Sequence, residues 1–188
     1  ASPIYTKRMQ RLLGFEGDTV ETIFKGIQLD VGAPPEFMDF RFVVDDDHHG
    51  SFQLGHCGAL MDVEPMGDDY VQTMCHDIED PTFDATAIAT NPRARMRPVH
   101  RPPRVPTDRT PHCEWTVVID DANDELPVPP GAVALAASRA ANVAPAVPDP
   151  SLPDNDGWAD YSAPLDVGLV MERFASAALA AIADEVAR

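Results

Sequence analysis

The side chains with the clearest chemical potential in this sequence are cysteines, each of which has a histidine beside it. The pairs are His56-Cys57, Cys75-His76 and His112-Cys113. Thiolates are nucleophiles and soft metal ligands, and imidazole acts as a general base or as a ligand. Three cysteines cannot all form disulfides within one chain, so reduced thiols in a cytoplasmic protein are the simplest interpretation.

A catalytic site is one interpretation of these pairs. Cys57 or Cys75 would attack a carbonyl or amidine carbon, His56 or His76 would act as the base, and Asp77 would orient the imidazole. Because neighbouring residues of a strand point to opposite faces, a site could gather one member from each pair. The three cysteines around a buried pocket are then the natural set, which adds Cys113 to the candidate catalytic residues.

Metal binding is the second interpretation. A Cys₃His set binds Zn²⁺ tetrahedrally, and three thiolates can hold an iron–sulfur cluster, so zinc or iron is the cofactor that this interpretation implies. The candidate ligands are His56, Cys57, Cys75, His76, His112 and Cys113. The sequence has neither a Cys-x-x-Cys nor a His-x-x-x-His spacing, however. A purely structural role, in which buried cysteines act as small apolar residues, is the third alternative.

Acidic and basic segments follow the second pair. Between Cys75 and Asp84 the chain offers Asp77, Glu79, Asp80 and Asp84 as general acids or bases. Six of the 14 Lys and Arg residues then fall between positions 93 and 109. This arginine-rich segment is either an anion clamp for a substrate carboxylate or a set of internal ion pairs. The candidate clamp residues are Arg95, Arg97, His100 and Arg101.

The overall charge restricts the partners. A formal net charge of −17 argues against nucleic acid and against anionic membranes, both of which attract basic surfaces. No apolar run reaches the roughly 20 residues that span a bilayer. We therefore expect a small-molecule substrate, without nucleic acid or membrane.

The elements that would position these residues can be predicted from periodicity. Residues 4 to 30 have the spacing of two helices separated near Gly17. Phe40 to Val44 and Ser51 to Cys57 alternate as a hairpin, and Cys113 to Ile119 as a third strand with Cys113 and Trp115 on its core face.

Between the hairpin and the third strand the pattern is helical and then irregular. Residues 68 to 78 predict a helix, Pro81 predicts a break or a new start, and residues 82 to 90 continue as a short helix. Residues 92 to 111 are rich in proline and predict an extended or looping segment. Residues 1–120 are thus expected to form an α+β domain, a small antiparallel sheet with flanking helices.

The remaining residues differ in composition. Residues 121–164 are rich in Pro, Ala and Asp and predict an extended linker, with a helical interruption at about 132 to 141. Residues 165–188 predict a C-terminal helix with an apolar stripe. We expect this extension to dock on the domain, on a second copy in a homo-oligomer or on another protein.

The order of the reactive residues resembles a known family. Cys57 before a helix, Cys75 with Asp77, and Cys113 opening the strand Cys-Glu-Trp-Thr-Val resemble the L-2-amino-thiazoline-4-carboxylate hydrolase-like proteins. The similarity covers about residues 37 to 120. It implies an α+β fold with an antiparallel sheet, a site at these four residues, and hydrolytic opening of a small cyclic amidine-like ring that bears a carboxylate.

The leading functional hypothesis is therefore a hydrolase of C–N bonds in a small cyclic amidine or amide bearing a carboxylate. The alternative is a metal- or iron–sulfur-binding accessory subunit whose residues 121–188 clasp a partner in a larger complex. A ligand-binding sensor without catalysis is the third hypothesis.

Overall fold

A four-stranded antiparallel sheet forms the centre of the protein in a computed structural model that describes residues 2–188. Its strands lie in the order β1-β2-β4-β3. They are β1 (Met38–Val44), β2 (His49–Cys57), β3 (Ala94–His100) and β4 (Cys113–Ile119). The predicted α+β class, an antiparallel sheet with flanking helices, is confirmed.

Helices precede, interrupt and follow the sheet. The α-helices are α1 (Ser2–Leu12), α2 (Val20–Gln28), α3 (Gly58–Val63), α4 (Asp68–Gln72), α5 (Glu79–Ala87), α6 (Pro130–Ala136) and α7 (Ser176–Val186). A π-helix over Thr73–Ile78 joins α4 to α5, and short 3-10 turns occupy Glu64–Met66, Ala140–Asn142 and Met171–Arg173. Among residues 2–188, none of the helices has the length and apolar character that crossing a membrane requires.

Alternation of apolar and polar residues explains the first two strands and β4. Phe42 lies opposite Phe52, and Phe52 lies opposite Trp115 on β4. The rings of Phe52 and Trp115 stack with their centroids 6.2 Å apart. Helix α2 packs on this face through Phe24, whose ring centroid lies 4.8 Å from that of Phe42. The predicted hairpin and third strand are therefore present with nearly the expected bounds.

Strand β3 lies within the segment that the prolines had marked as extended or looping. Ala94 and Met96 point into the core, while Arg95 and Arg97 point outwards. Pro98 has no N–H to donate and is tolerated because β3 pairs with β4 alone, at the edge of the sheet. Of the two predicted alternatives, extended or looping, residues 94–100 take the extended one, as an edge strand.

The predicted break at Pro81 takes the form of a change of helix type. The Glu79 N–H donates to the carbonyl of Met74, five residues back, as well as to that of His76. Pro81 then follows as the third residue of α5, where its missing N–H leaves the carbonyl of Asp77, four residues back, without an α-helical bond. Helices α4 and α5 are thereby joined without an interruption, and the π-helix between them carries Cys75.

Residues 121–164 lie on the surface of their own chain, at first beside the start of β3, where Leu126 N–H donates to Pro92, and then on α1 and α2. Tyr161 is fully buried, and its hydroxyl donates to the side-chain oxygen of Gln28 at 2.7 Å. The Lys25 ammonium donates to the carbonyl of Ala163 at 2.7 Å. The predicted helical interruption is present as α6.

The C-terminal helix is shorter than predicted. Trp158 and residues 173–175 exchange backbone hydrogen bonds, with Trp158 N–H donating to Arg173 and Ala175 N–H donating to Trp158, both at 2.7 Å. These bonds hold the chain extended up to Ala175, so α7 begins only at Ser176. Ile182 of α7 packs with Met9 of α1 in a second apolar cluster.

Candidate functional site

The three thiols lie together in the core beneath the sheet. Cys57 ends β2, Cys113 begins β4 and Cys75 lies in the π-helix, and all three are buried members of one apolar cluster. None forms a disulfide. Sequence alternation had placed Cys113 on the core face, and Leu54 of β2 is its partner across the strands.

Burial suppresses ionisation of these thiols. It raises the pKa of Cys57 to about 11 and that of Cys75 to about 12, and it raises the pKa of Cys113 further still. The nearby carboxyl group of Glu79 adds to the increase at all three sites. Because the thiolate is the reactive form, none of the three is a ready nucleophile at neutral pH.

Cys57 has structural contacts through both of its polar groups. Its sulfur accepts a hydrogen bond from Leu60 N–H at 3.4 Å and so caps α3. Its own N–H donates to Nδ1 of His112 at 3.1 Å. This bond assigns the proton of the neutral ring to Nε2, because Nδ1 must keep its lone pair. His112 is thus a buried acceptor that joins two strands, with only 6% of its surface exposed.

The two histidines predicted as bases, and Asp77, which was predicted to orient them, lie outside the thiol cluster. His56 is exposed, and its ring centroid lies 5.8 Å from that of His112. Nε2 of His76 donates to the carbonyl of Pro102 at 2.7 Å. Asp77 is exposed and accepts a hydrogen bond from Gln72 at 3.4 Å. Among residues 2–188, the hydrogen bonds therefore connect His76 neither to Cys75 nor to Asp77.

Metal coordination receives no support from the side-chain geometry. Within the described part of the chain, no group of three or more His, Cys, Asp or Glu side chains could hold a metal ion. Of the neighbouring histidines, the ring of His112 lies beside Cys57, whereas His56 is exposed and His76 bonds to Pro102. The hypothesis of a zinc or iron–sulfur protein is therefore supported only by the presence of Cys and His in the sequence, and not by their arrangement in the fold.

The arginine-rich segment consists largely of internal ion pairs. Arg97 donates to both oxygens of Asp84, at 3.0 and 3.1 Å. Arg101 pairs with Asp80 and lies over the ring of Trp115, 5.9 Å from its centroid. These pairs match the second of the two alternatives that the sequence left open.

The two further clamp candidates, Arg95 and His100, also have partners within the protein. Arg95 donates to the carbonyls of Ala94 and Pro92, at 2.9 and 3.3 Å, and also to that of Asp124. His100 lies 3.8 Å from a carboxylate oxygen of Glu114, and burial lowers its pKa together with the charge of Arg109. Substrate binding by these residues would first require their present partners to be released.

A groove of about 280 Å³ opens beside the thiol cluster, between the segment that follows α2 and the helices α3 and α5. We call it the Glu79 groove. Its lining is mostly apolar. The lining residues are Ser2, Ile27, Asp30, Gly32, Ala33, Phe37, Met38, Phe40, Ala59, Met74, Ile78, Glu79, Thr82, Phe83 and Thr86. The three cysteines lie behind this wall and are not part of it.

Glu79 is the chemically unusual residue of the groove. Only 8% of its surface is exposed, and its carboxyl group accepts no hydrogen bond from residues 2–188. Burial, reinforced by the negative charge of Asp80 and opposed by Arg101, raises the pKa of Glu79 to about 7. A carboxyl group that titrates near neutral pH can both accept and return a proton, which is what general acid–base catalysis requires.

A second groove of about 300 Å³ lies between α7 and the segment after α2, and it lacks such a group. Its acidic residues are Asp30, which is half-buried and also lines the Glu79 groove, and Glu36 and Glu172, which are exposed. Size alone does not distinguish the two grooves, whereas a buried carboxyl group does.

Sequence reasoning named Glu79 among four acidic candidates but chose Asp77. The signal that distinguishes them is helical phase. Glu79 follows Cys75 by four residues and precedes Phe83 by four, so all three share one face, and all three are buried. Asp77 lies on the opposite, exposed side.

Comparison of the chain with protein-family models, with curated proteins and with solved structures found no match. The resemblance to the hydrolase-like family stays a prediction that rests on Cys57, Cys75, Asp77 and Cys113. Any function must therefore be argued from the Glu79 groove itself.

Proposed function

We propose that the protein hydrolyses a C–N bond of a small cyclic amidine or amide that binds in the Glu79 groove. The observation that carries the proposal is the buried carboxyl group of Glu79, whose pKa is raised to about 7 in an otherwise apolar wall. Such residues cluster at active sites, because burial tunes them to the pH at which they work.

In this mechanism the ionised carboxylate of Glu79 takes a proton from a water molecule as the water oxygen bonds to the amidine or amide carbon. The carbon becomes tetrahedral and keeps that oxygen as a hydroxyl group, while the π electrons of its C=N or C=O bond move to the nitrogen or oxygen. The protonated carboxyl group then gives its proton to the leaving nitrogen, and the C–N bond breaks as the carbonyl forms. The remaining hydroxyl proton passes to the released amine. One water is consumed, and Glu79 ends in its starting state.

The cysteines have a supporting part in this proposal. Cys57, Cys75 and Cys113 pack behind Glu79 and hold its carboxyl group in an apolar environment. A thiol nucleophile, which the sequence suggested, is disfavoured by the raised pKa of each cysteine.

A partner protein is not needed for the proposed reaction. Residues 121–188 cover α1 and α2 of the same chain, as the burial of Tyr161 and Ile182 indicates. The accessory-subunit hypothesis, in which this extension clasps another protein, stays a prediction.

The test is a turnover screen of cyclic amidines and small amides with the wild-type protein, Glu79→Gln and Cys75→Ser. Loss of a general base typically costs a factor of about 100 to 10,000, so we expect Glu79→Gln to lose at least about 100-fold in kcat/KM. Cys75→Ser should stay within about tenfold of wild type. The pH profile of the wild type should rise through a pKa near 7.

Other outcomes would replace the proposal. Activity that survives Glu79→Gln but disappears in Cys75→Ser would restore a thiol nucleophile. Tight binding without product, across the whole screen, would indicate a ligand-binding sensor.

A further inference from the structure

We infer that the Glu79 groove selects a small, flat cation, such as a protonated amidine, and excludes molecules that carry a carboxylate. The inference rests on the proposed function for the choice of groove. It narrows the substrate class to the amidine, and it departs from the carboxylate that the family resemblance implies.

The side chains that line the groove give it a negative charge. Glu79 and Asp30 are the ionisable residues of the wall, and both are acidic. Among residues 2–188, the lining includes no Lys, Arg or His side chain. One oxygen of Asp30 already accepts the Gly32 N–H at 2.8 Å, so Glu79 is the freer of the two carboxyl groups.

Two basic side chains of neighbouring elements, Arg101 and Lys25, are bound elsewhere. Arg101 acts on Glu79 through its charge, but its guanidinium group pairs with Asp80 and covers Trp115. Lys25 on α2 donates to Ala163 and pairs with Glu21 at 3.1 Å. A substrate carboxylate in the groove would therefore lie against two acidic groups without a cation to compensate them.

Burial makes this arrangement selective. A charge that enters an apolar groove loses its hydration, and the loss is offset only by an opposite charge or by hydrogen bonds. An amidinium group brings both a positive charge and N–H donors to Glu79, whose carboxyl group has no hydrogen bond from residues 2–188. The net charge of −17 also draws cations towards the protein.

The shape of the groove restricts the rest of the ligand. Phe37, Phe40 and Phe83 contribute aromatic walls, and Met38 and Met74 contribute flexible apolar ones. A volume of about 280 Å³ lies just below the usual range for drug-sized ligands, roughly 300 to 1,000 Å³. The groove is thus suited to a molecule with a single ring.

Three probes of nearly equal size and shape test the charge preference. Benzamidine is a cation, benzamide is neutral and benzoate is an anion at neutral pH. Calorimetric titration of the full chain should give at least tenfold tighter binding of benzamidine than of benzamide, and no measurable binding of benzoate. Benzamidine binding should also release protons to the buffer near pH 7, because the cation favours ionised Glu79.

The matched variants are Glu79→Gln and Asp77→Asn. Both remove one carboxylate from the same helical segment, but only Glu79 lines the groove. We expect Glu79→Gln to bind benzamidine no better than benzamide and Asp77→Asn to keep the wild-type preference. Equal or tighter binding of benzoate to the wild type, or an unchanged preference in Glu79→Gln, would overturn the inference.

The two proposals can fail separately. Selective binding of benzamidine without hydrolysis of any amidine would refute the hydrolase and leave the cation preference intact. Hydrolysis of a carboxylate-bearing ring by a protein that does not bind benzamidine would overturn the inference and leave the hydrolase.

Discussion

Nδ1 of His112 accepts a hydrogen bond from the backbone N–H of Cys57 at 3.1 Å. The bond links the last residue of β2 to the residue that precedes β4, and it places both next to the thiol cluster. It requires a neutral imidazole, because a protonated ring has no lone pair to offer. The stability of the core beside the Glu79 groove therefore requires His112 to be neutral.

Protonation of His112 should make the fold less stable in mild acid. Burial, together with the charges of Arg104 and His56, lowers its pKa in the folded protein below the unfolded value of about 6.5. The unfolded chain thus binds more protons between the two pKa values, so the contribution is complete above about pH 6.5 and is lost as the pH falls through the folded pKa. Urea unfolding at about pH 7.5 and about pH 5.5 measures this loss.

Two substitutions separate the charge from the hydrogen bond. His112→Asn keeps an acceptor near the position of Nδ1 and should lose less stability between these pH values than wild type. His112→Leu leaves the Cys57 N–H unpaired and should cost about 1 to 3 kcal/mol at both. Substitution of the exposed His48 by Asn provides the control and should leave the pH dependence unchanged. An identical pH dependence in wild type and His112→Asn would contradict the assignment of the acid sensitivity to His112.

Glu79 should act on stability in the opposite direction. Its folded pKa, about 7, lies above the unfolded value, so the folded state binds the additional proton between about pH 4.5 and 7. The contribution is complete below about pH 4.5 and is lost as the pH rises through 7. A pKa raised from 4.5 to about 7 corresponds to about 3 kcal/mol at most.

Glu79→Gln is neutral at every pH and should be more stable than wild type above about pH 8, by about 1 to 3 kcal/mol. Urea unfolding of the two proteins at about pH 6 and about pH 8.5 gives the comparison. Asp77→Asn should show no such gain, since Asp77 is exposed. A constant difference between wild type and Glu79→Gln at both pH values would mean that Glu79 does not titrate between them, which would contradict a pKa near 7.

The cysteines should be unreactive in the native protein. Burial raises the pKa of all three thiols, to about 11 for Cys57, and each is at most 3% exposed. An aromatic disulfide reagent at about pH 7.5 should therefore react at the rate of unfolding, and rapidly once denaturant is added. Rapid modification of even one thiol in the native protein would reopen the catalytic role of cysteine.

The ion pair of Arg8 and Glu185 should anchor the C-terminal helix. Arg8 donates to both oxygens of Glu185, at 2.7 and 2.9 Å, and Ala146 N–H donates to one of them. Although burial opposes it, these bonds lower the pKa of Glu185. Glu185→Ala removes the carboxylate from the Arg8 guanidinium, which keeps only its bonds to the carbonyls of Ala141 and Val143, so we expect a loss of about 3 kcal/mol in the free energy of unfolding.

Matched variants test whether burial of the Arg8–Glu185 pair is the reason for this loss of stability. Arg11 and Glu16 form a pair of which 66% and 59% of the side-chain surface is exposed, so Glu16→Ala should cost at most about 1 kcal/mol. The double variant Arg8→Met/Glu185→Leu should recover much of the loss in Glu185→Ala. Equal effects of Glu16→Ala and Glu185→Ala would mean that the pair does not anchor the helix.

The sequence by itself determined the elements whose pattern is local. Alternation at Phe40 to Val44, at Ser51 to Cys57 and at Cys113 to Ile119 predicted three of the strands, because each side chain's face follows from its position along the strand. The same alternation put Cys113 and Trp115 in the core. Strand β3 escaped this reasoning, because Pro98 excludes a central strand but not an edge, and the edge position depends on the whole sheet.

Only the tertiary structure decided which reactive side chains meet. Cys57, Cys75 and Cys113 converge from two strands and a π-helix, while His76 and Asp77, their neighbours in sequence, point elsewhere. The choice of Glu79 over Asp77, and the attachment of residues 121–188 to α1 and α2, depend on burial by elements far away along the chain. Residue type states which chemistry a side chain can perform, whereas its pKa and its accessibility are set by everything that packs around it.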